Sequence, residues 1–216
     1  MWEGGIMDIG PDDRYASFDY CFNYFQSFRD EDRVKDITAP ENLELSCLHL
    51  GFYLASWGMF RSSVVRGRSV HQFKPVVELI ANTQPDVWDI DAHVYSDKAR
   101  ATLMSTASEI KKSLRFPPGK RPTATLATKI MLGVYGNVPA FDRRVRAGLR
   151  THGLVGQFGH GALREIGRYY QQNADLIEEK RLLTLDFKTG QHTGRRYTRA
   201  KIIDMIFYVE GGGTAF

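Results

Sequence analysis

The chain has 216 residues, of which 43% are hydrophobic and 25% charged, and its net charge at pH 7 is +4. These proportions are typical of a soluble globular protein with a full-sized core. No apolar run approaches the roughly 20 residues that a membrane-spanning helix needs, so the sequence excludes such a helix.

The N-terminal segment is acidic and is interrupted by glycine and proline as far as Asp13. We expect it to be neither a signal peptide nor a transit peptide, which makes the cytoplasm the expected compartment. Residues 1–12 are expected to be flexible. Residues 13–210 are expected to form a single helical domain with two lobes around a cleft, and residues 211–216 a loose tail.

Two helical patterns are clear in the first half of the chain. One begins at Pro40, which suits the first turn of a helix, with Thr38 as its expected cap and an apolar stripe that ends at Trp57. The other follows Ser96 as its N-cap and continues to residue 114. The proline-rich and basic stretch 115–123 then predicts an exposed turn.

Positive charge is concentrated in residues 111–151. This segment carries ten Lys and Arg residues against one acid, Asp142, for a net charge of +9, which leaves −5 for the rest of the chain. A solvated basic face is the simplest interpretation. However, such segregation on an otherwise acidic protein favours a polyanionic partner, and we expect a nucleic acid.

The single carboxylate of this segment stands at the start of a predicted helix. Residues 124–135 are expected to be helical, Gly136-Asn137 to end that helix in a left-handed cap, and Pro139 to enforce a turn before a helix over about 142–152. Asp142 is a good N-cap there, which typically stabilises a helix by about 1 kcal/mol.

A catalytic interpretation of Asp142 competes with capping. Phosphate contacts need the nearby cations, but a carboxylate close to a phosphate backbone is repelled by it. Cleavage of an N-glycosidic bond develops positive charge on the sugar, and a fixed anion stabilises that charge and can orient the attacking water. The residues alone leave both interpretations open.

The last part of the chain also has mainly helical patterns, which are expected to form helices over 161–180 and 198–209. Between them, Leu183, Leu185 and Phe187 alternate with polar residues before Thr189-Gly190, which predicts a short β-hairpin near residues 183–197. The predicted fold class is therefore mostly α.

The stretch TKIMLGVYGNVPAFDRRV (residues 128–145) resembles the core of the helix-hairpin-helix DNA glycosylase superfamily, in which a helix and a short turn precede the catalytic aspartate. Three further stretches, 17–29, 45–61 and 197–206, resemble one branch of it, named for alpha-glutamyl/putrescinyl thymine pyrophosphorylases. That branch includes phage-defence glycosylases that act on hypermodified bases. The resemblance implies a helix-hairpin-helix glycosylase-like fold.

The resemblance also implies how the site works. Asp142 matches the catalytic aspartate, and Lys129 is an auxiliary catalytic candidate. In bifunctional members a catalytic lysine lies in the hairpin, farther before the aspartate than Lys129, which precedes Asp142 by 13 residues. The usual hairpin motif is absent as well. A monofunctional enzyme that leaves an abasic site, without a metal or organic cofactor, is therefore expected.

A glycosylase flips its base into a pocket that stacks on it and reads its edge. The residues expected to bind the substrate are Asn23, Tyr24, Tyr53, Trp57, Arg61 and Asn137. The structural alternative is that the aromatic residues are plain core, and that Arg61 pairs with Asp89 or Asp91. The residues expected to contact the DNA backbone are Lys112, Lys120, Arg121, Thr123, Arg143, Arg144 and Arg146.

The expected partner is double-stranded DNA of a phage with modified bases, bound by a monomer that has no membrane partner. The expected substrate is a glucosylated or otherwise hypermodified pyrimidine, and the expected role is antiviral defence. Two alternatives stay open: a non-catalytic nucleic-acid-binding module that uses residues 111–151, and a transferase acting on a modified base.

Overall fold

A computed structural model describes residues 9–61, 65–114 and 119–214. In these ranges the chain is mostly helical, with one two-stranded antiparallel hairpin, which confirms the predicted fold class. The helices are α1 Ala16–Asp30, α2 Pro40–Ser56, α3 Lys74–Ala81, α4 Pro85–Asp89, α5 Asp97–Ser113, α6 Ala124–Tyr135, α7 Arg143–Thr151, α8 His160–Gln172, α9 Ala174–Glu179 and α10 Arg199–Glu210. The strands are β1 Leu183–Leu185 and β2 His192–Arg196. None of the described helices is both long and apolar enough to cross a membrane.

Several helix ends lie where local chemistry predicts them. Pro40 is the first residue of α2, and the Ser96 hydroxyl accepts a hydrogen bond from Ala99 N at 3.2 Å at the start of α5. Gly136 ends α6 with a φ of 66°, a left-handed conformation that glycine adopts without steric cost. Thr38 does not cap α2, because its hydroxyl donates to Lys35 O in the preceding turn.

The helix predicted over 161–180 is interrupted at Asn173. Its backbone leaves the helical region, and its side-chain Nδ2 donates to Tyr169 O at 2.8 Å. Asparagine side chains compete in this way with the helical hydrogen bonds, so one predicted helix becomes α8 and α9.

The core is formed around α6, which is mainly apolar and buried along most of its length. It packs against α1, α2 and α5. By contrast, α7 is amphipathic: Val145, Gly148 and Leu149 are buried while its arginines lie on the other face. The buried face of α7 packs closely along α10, and Gly148 permits this approach because a Cβ there would overlap the carbonyl oxygen of Phe207.

The two ends of the chain bear on the predicted domain limits. Gly10 N donates to Asp13 Oδ2 at 2.8 Å, and Gly213 N donates to Tyr208 O at 2.8 Å, so residues near both limits form turns. Residues 1–8 of the expected flexible segment, residues 115–118 of the expected turn, and residues 215–216 of the expected tail lie outside the described residues. The single domain over 13–210 with two lobes stays a prediction.

Candidate active site

The turn before α7 is held in place from two sides. Within α6, the Thr128 hydroxyl accepts a hydrogen bond from Phe141 N at 3.0 Å, and the Thr125 hydroxyl donates to Phe141 O at 2.9 Å. From α10, Asp204 Oδ1 accepts from Ala140 N at 2.8 Å. The backbone that leads into Asp142 is therefore fixed by polar side chains of two helices.

The carboxylate of Asp142 divides its two oxygens between two tasks. Oδ1 accepts hydrogen bonds from Arg144 N at 2.9 Å and Val145 N at 3.1 Å, which caps α7. Oδ2 accepts from Lys129 Nζ at 3.0 Å. The Lys129 side chain is 5% exposed and that of Asp142 is 19% exposed. Capping therefore leaves Asp142 accessible, next to a buried ammonium group.

Trp57 lies at the centre of a group of cations. The Lys129 ammonium is 5.1 Å from the centroid of its ring, that of Lys201 is 5.5 Å away, and the Arg14 guanidinium is 5.4 Å away. An indole attracts cations through its electron-rich face. Trp57 consequently helps to hold Lys129 where it reaches Asp142.

A pocket of about 240 Å³ is lined by Asp142, Lys129, Trp57 and Arg14, among others. Its volume is below the roughly 300–1,000 Å³ of typical small-molecule sites. Asp142 is the one acid among its described lining residues, which are otherwise rich in arginine. They are Arg14, Ser56, Trp57, Gly58, Met59, Arg61, Thr125, Lys129, Asp142, Arg143, Arg144 and Tyr208.

Six residues predicted from the sequence meet at this pocket: Trp57, Arg61, Lys129, Asp142, Arg143 and Arg144. Arg14 and Tyr208 also line the pocket, although the sequence does not predict them as site residues. The Arg14 guanidinium donates to Tyr208 OH at 3.1 Å, so the segment before α1 and the end of α10 close one side of the pocket together. No motif links two residues that are 194 positions apart.

Arg61 reaches the pocket from beyond the end of α2. The helix ends at Ser56, and Gly58, with a φ of +74°, turns the chain, so Arg61 does not continue the helical face of Trp57. Arg61 is exposed. The alternative in which it pairs with an aspartate is wrong: Asp89 pairs with Arg29, and Asp91 with Arg199.

Two other substrate-binding candidates lie inside the protein. Tyr53 is 2% exposed and packs against Phe18, and burial raises the pKa of its hydroxyl well above the usual value. Asn137 is fully buried, and its Nδ2 donates to Val87 O at 3.1 Å. Neither lines the pocket, so Tyr53 is a core residue, as in the structural alternative, and Asn137 is a buried residue bonded to the backbone before α5.

Asn23 and Tyr24 hold neighbouring parts of the fold to α1. Asn23 Nδ2 donates to Leu185 O at 2.9 Å, and its Oδ1 accepts from the Thr184 hydroxyl at 2.9 Å, which ties the β-hairpin to the helix. The Tyr24 hydroxyl lies 2.9 Å from Ser46 Oγ, and its ring stacks on His49. Neither residue lines the pocket.

Asn23→Ala is therefore expected to lower stability rather than to impair excision. Removing hydrogen-bond partners from partly buried groups costs about 1–3 kcal/mol, which is measurable by thermal melting. Arg61→Ala is the matched control, since this exposed pocket residue should alter excision without lowering the melting temperature. Loss of excision in an Asn23→Ala protein of unchanged melting temperature would return Asn23 to the site.

The residues expected to contact the DNA backbone differ in position. Arg143 is exposed, and Arg144 is half-buried with its guanidinium 5.6 Å from the centroid of Tyr208. The side chain of Arg146 donates to Gly156 O at 2.9 Å, and Thr123 caps α6. Three further cations are exposed, one in the last turn of α5 and two just before α6: Lys112, Lys120 and Arg121.

A second ion pair lies behind the turn, buried in α10. Lys201 Nζ is 3.6 Å from Asp204 Oδ2. Burial lowers the pKa of Lys201, while the charges of Asp204 and Asp19 raise it. Burial also raises the pKa of Asp204, and the Lys201 ammonium opposes that shift. Neither residue was among the sequence-predicted site residues.

A larger pocket, of about 540 Å³, lies between the segment that follows α7 and the helices α8, α9 and α10. In it, His152 Nε2 is 2.7 Å from Glu210 Oε2. None of the predicted site residues lines this pocket, and it does not bring together a carboxylate and a lysine.

The described residues do not bring three or more His, Cys, Asp and Glu side chains into a group that could hold a metal ion. Comparison of the chain with protein-family models, with curated proteins and with solved structures found no match. The function proposed below rests on the arrangement of the pocket residues and on the resemblance of residues 128–145.

Proposed function

We propose that this protein is a monofunctional DNA glycosylase of the helix-hairpin-helix type. The observation that carries the proposal is the carboxylate of Asp142, which is paired with Lys129 at 3.0 Å and accessible in a pocket otherwise rich in arginine. A carboxylate that served only as a cap would not need a buried lysine or a cationic pocket around it.

The proposed reaction cleaves the bond between the base and C1′ of its sugar. The bond electrons leave with the base, and the positive charge that develops on the sugar is stabilised by the Asp142 carboxylate. A water oriented by the same carboxylate then attacks C1′, and the proton that it loses neutralises the departing base, which leaves an abasic site and a free base. Because Oδ1 is held by two backbone N–H groups, the carboxylate is fixed before the substrate binds.

The DNA backbone is proposed to lie over the start of α7. The first helical residues, Arg143 and Arg144, present cations there, and Arg side chains are common phosphate contacts. Lys120 and Arg121 extend this surface before α6.

Replacing Arg143 and Arg144 together with Ala is expected to weaken binding to modified and plain DNA alike, because phosphate contacts carry no base information. The slope of log K against log salt concentration should fall by roughly 0.9 for each phosphate that the protein no longer neutralises. Titrations at several salt concentrations measure both effects. An unchanged slope would remove these arginines from the DNA interface.

Lys129 is proposed to position Asp142 rather than to attack the sugar. Its ammonium is almost fully buried, bound to Asp142 and placed against Trp57. Borohydride should therefore trap no covalent complex between the protein and its DNA, and strand breaks should require added alkali. A trapped complex that disappears in Lys129→Ala would show instead that Lys129 forms a Schiff base.

The second candidate function is a non-catalytic nucleic-acid-binding module. The two capping bonds of Asp142 favour it, since they give this residue a structural role without any chemistry. Incubation with hypermodified phage DNA and with plain DNA, followed by alkali and gel electrophoresis, separates the two functions. Alkali-labile breaks in the modified DNA support the glycosylase, whereas a mobility shift without breaks supports the binding module.

The substrate and the setting of the reaction follow from the resemblance alone. We propose a glucosylated or otherwise hypermodified pyrimidine of phage DNA as the substrate, and antiviral defence in the cytoplasm as the role. The protein is proposed to act as a monomer on double-stranded DNA.

A further inference from the structure

Two carboxylates and two ammonium groups lie close together around the turn that leads into α7. Asp142 and Lys129 form the outer pair, which lines the pocket. Asp204 and Lys201 form the inner pair on α10, where they are 6% and 3% exposed. An inner pair this deeply buried does not contact DNA, so its effect on the site must pass through other residues.

The inner pair is joined to the outer pair through the backbone. Asp204 Oδ1 accepts from Ala140 N at 2.8 Å, and Ala140 is two residues before Asp142. A buried backbone N–H needs such a partner, because an unsatisfied one costs free energy. Asp204 therefore fixes the last part of the turn and, with it, the position of the Asp142 carboxylate.

The two pairs are also coupled by charge. Burial raises the pKa of Asp204; the charge of Asp142 adds to this shift, and Lys201 and Lys129 oppose it. Burial lowers the pKa of Lys201, and the charge of Lys129 contributes to that lowering. In a poorly hydrated interior such charges act on one another more strongly than they would in water.

We propose that Asp204 and Lys201 are positioning residues of the active site: they hold the turn that carries Asp142 and balance the charges around its carboxylate. This inference rests on the proposed function, and it assigns a role to two residues that do not take part in the proposed chemical steps. Asp204 acts through Ala140 and Lys129, and Lys201 compensates the charge of Asp204.

Charged and titratable groups surround Asp142 on every element packed against it. They are Lys129 on α6, Arg143 and Arg144 on α7, Lys201, Asp204 and Tyr208 on α10, Tyr53 on α2, Arg61 after α2, and Arg14 before α1. Of these groups, the inner pair can be altered without replacing a residue that lines the pocket, and the Lys201 ammonium also lies 4.5 Å from the ring centroid of Phe18 and 5.5 Å from that of Trp57. The inner pair is therefore the one to vary.

The test is the pH–rate profile of excision by Asp204→Asn, by Lys201→Met and by the double variant. Asn keeps an oxygen that can accept from Ala140 N but removes a negative charge. The acidic limb of the profile, where the rate falls with falling pH, should therefore move to lower pH. Lys201→Met removes a positive charge, so the limb should move to higher pH. Each shift is expected to be on the order of one pH unit, and the double variant should return close to the wild-type profile.

A merely structural pair would give a different result. It would lower the melting temperature of the variants without shifts of opposite sign in the acidic limb. Unmoved limbs, or limbs that move in the same direction, would overturn the inference. If Asp204→Asn does not fold, Lys201→Met and the double variant still decide the matter, because only a charge effect predicts a shift in one and its reversal in the other.

A second measurement separates this inference from the proposed function. Carbon-13 NMR titration of the aspartate carboxyls, with Asp142→Asn to assign the signal, follows the protonation of Asp142 without any substrate. Shifts of opposite sign in the two single variants support the charge coupling even if no DNA is cleaved. If Asp142 titrates in the variants as it does in the wild-type protein, and the variants excise base normally, the inference is overturned while the proposed function stands.

Discussion

Asp142→Asn is expected to lower base excision by about 100-fold or more, in a protein that still folds and binds DNA but is less stable, because the buried Lys129 ammonium loses its charged partner. The charge that would stabilise the sugar cation is lost, but the cap is kept, because Asn is about as good an N-cap as Asp. One amide oxygen can still accept from Arg144 N and Val145 N. Single-turnover excision, measured beside thermal melting and DNA affinity, gives the result.

The matched control is Asp142→Ala, which removes the charge and the cap together. It should lose excision to the same extent and be less stable than Asp142→Asn by about 1 kcal/mol. Excision near the wild-type level by folded Asp142→Asn would show that this residue is only a cap. The binding-module function would then be preferred.

Gly148→Ala is expected to destabilise the protein by about 3 kcal/mol or more and to displace the start of α7. A Cβ at this position would overlap the carbonyl oxygen of Phe207, which belongs to the backbone of α10 and cannot rotate away. Overpacking in a close-packed interior typically costs about 1–3 kcal/mol, and a rigid obstacle places the cost at the upper end or beyond. Denaturant unfolding measures the change.

Gly161→Ala is the control for this experiment. Gly161 lies in the first turn of α8, and a Cβ there would meet nothing within 4 Å. Because alanine favours helix more than glycine does, this variant should be neutral or more stable by up to about 1 kcal/mol. A Gly148→Ala protein as stable as this control would mean that α7 and α10 do not pack as closely as described.

The sequence predicts the path of the chain around Asp142 well because local chemistry determines it. Thr123 begins α6, Gly136 ends it in a left-handed conformation, and Asp142 caps α7, each through contacts within a few residues. Asn173 shows the limit of periodicity: the helical spacing continues through it, while its side chain competes for a backbone carbonyl.

The composition of the pocket could be predicted only in part. Helical spacing indicates which residues share a face, but not what that face contacts, so Tyr53 was grouped with Trp57 although it lies in the core. Asn23 was assigned to the base although it binds the hairpin. The bond between Asp204 and Ala140 joins residues 64 positions apart, and no local pattern indicates it.

The most direct test of the central claim is the detection of free base released from DNA. Hypermodified phage DNA is incubated with the protein, and the released small molecules are identified by mass spectrometry while abasic sites are counted by alkali cleavage. The account predicts free modified base and abasic sites in equal amounts with the wild-type protein, and neither with Asp142→Asn. DNA that is bound and shifted but releases no base would contradict it.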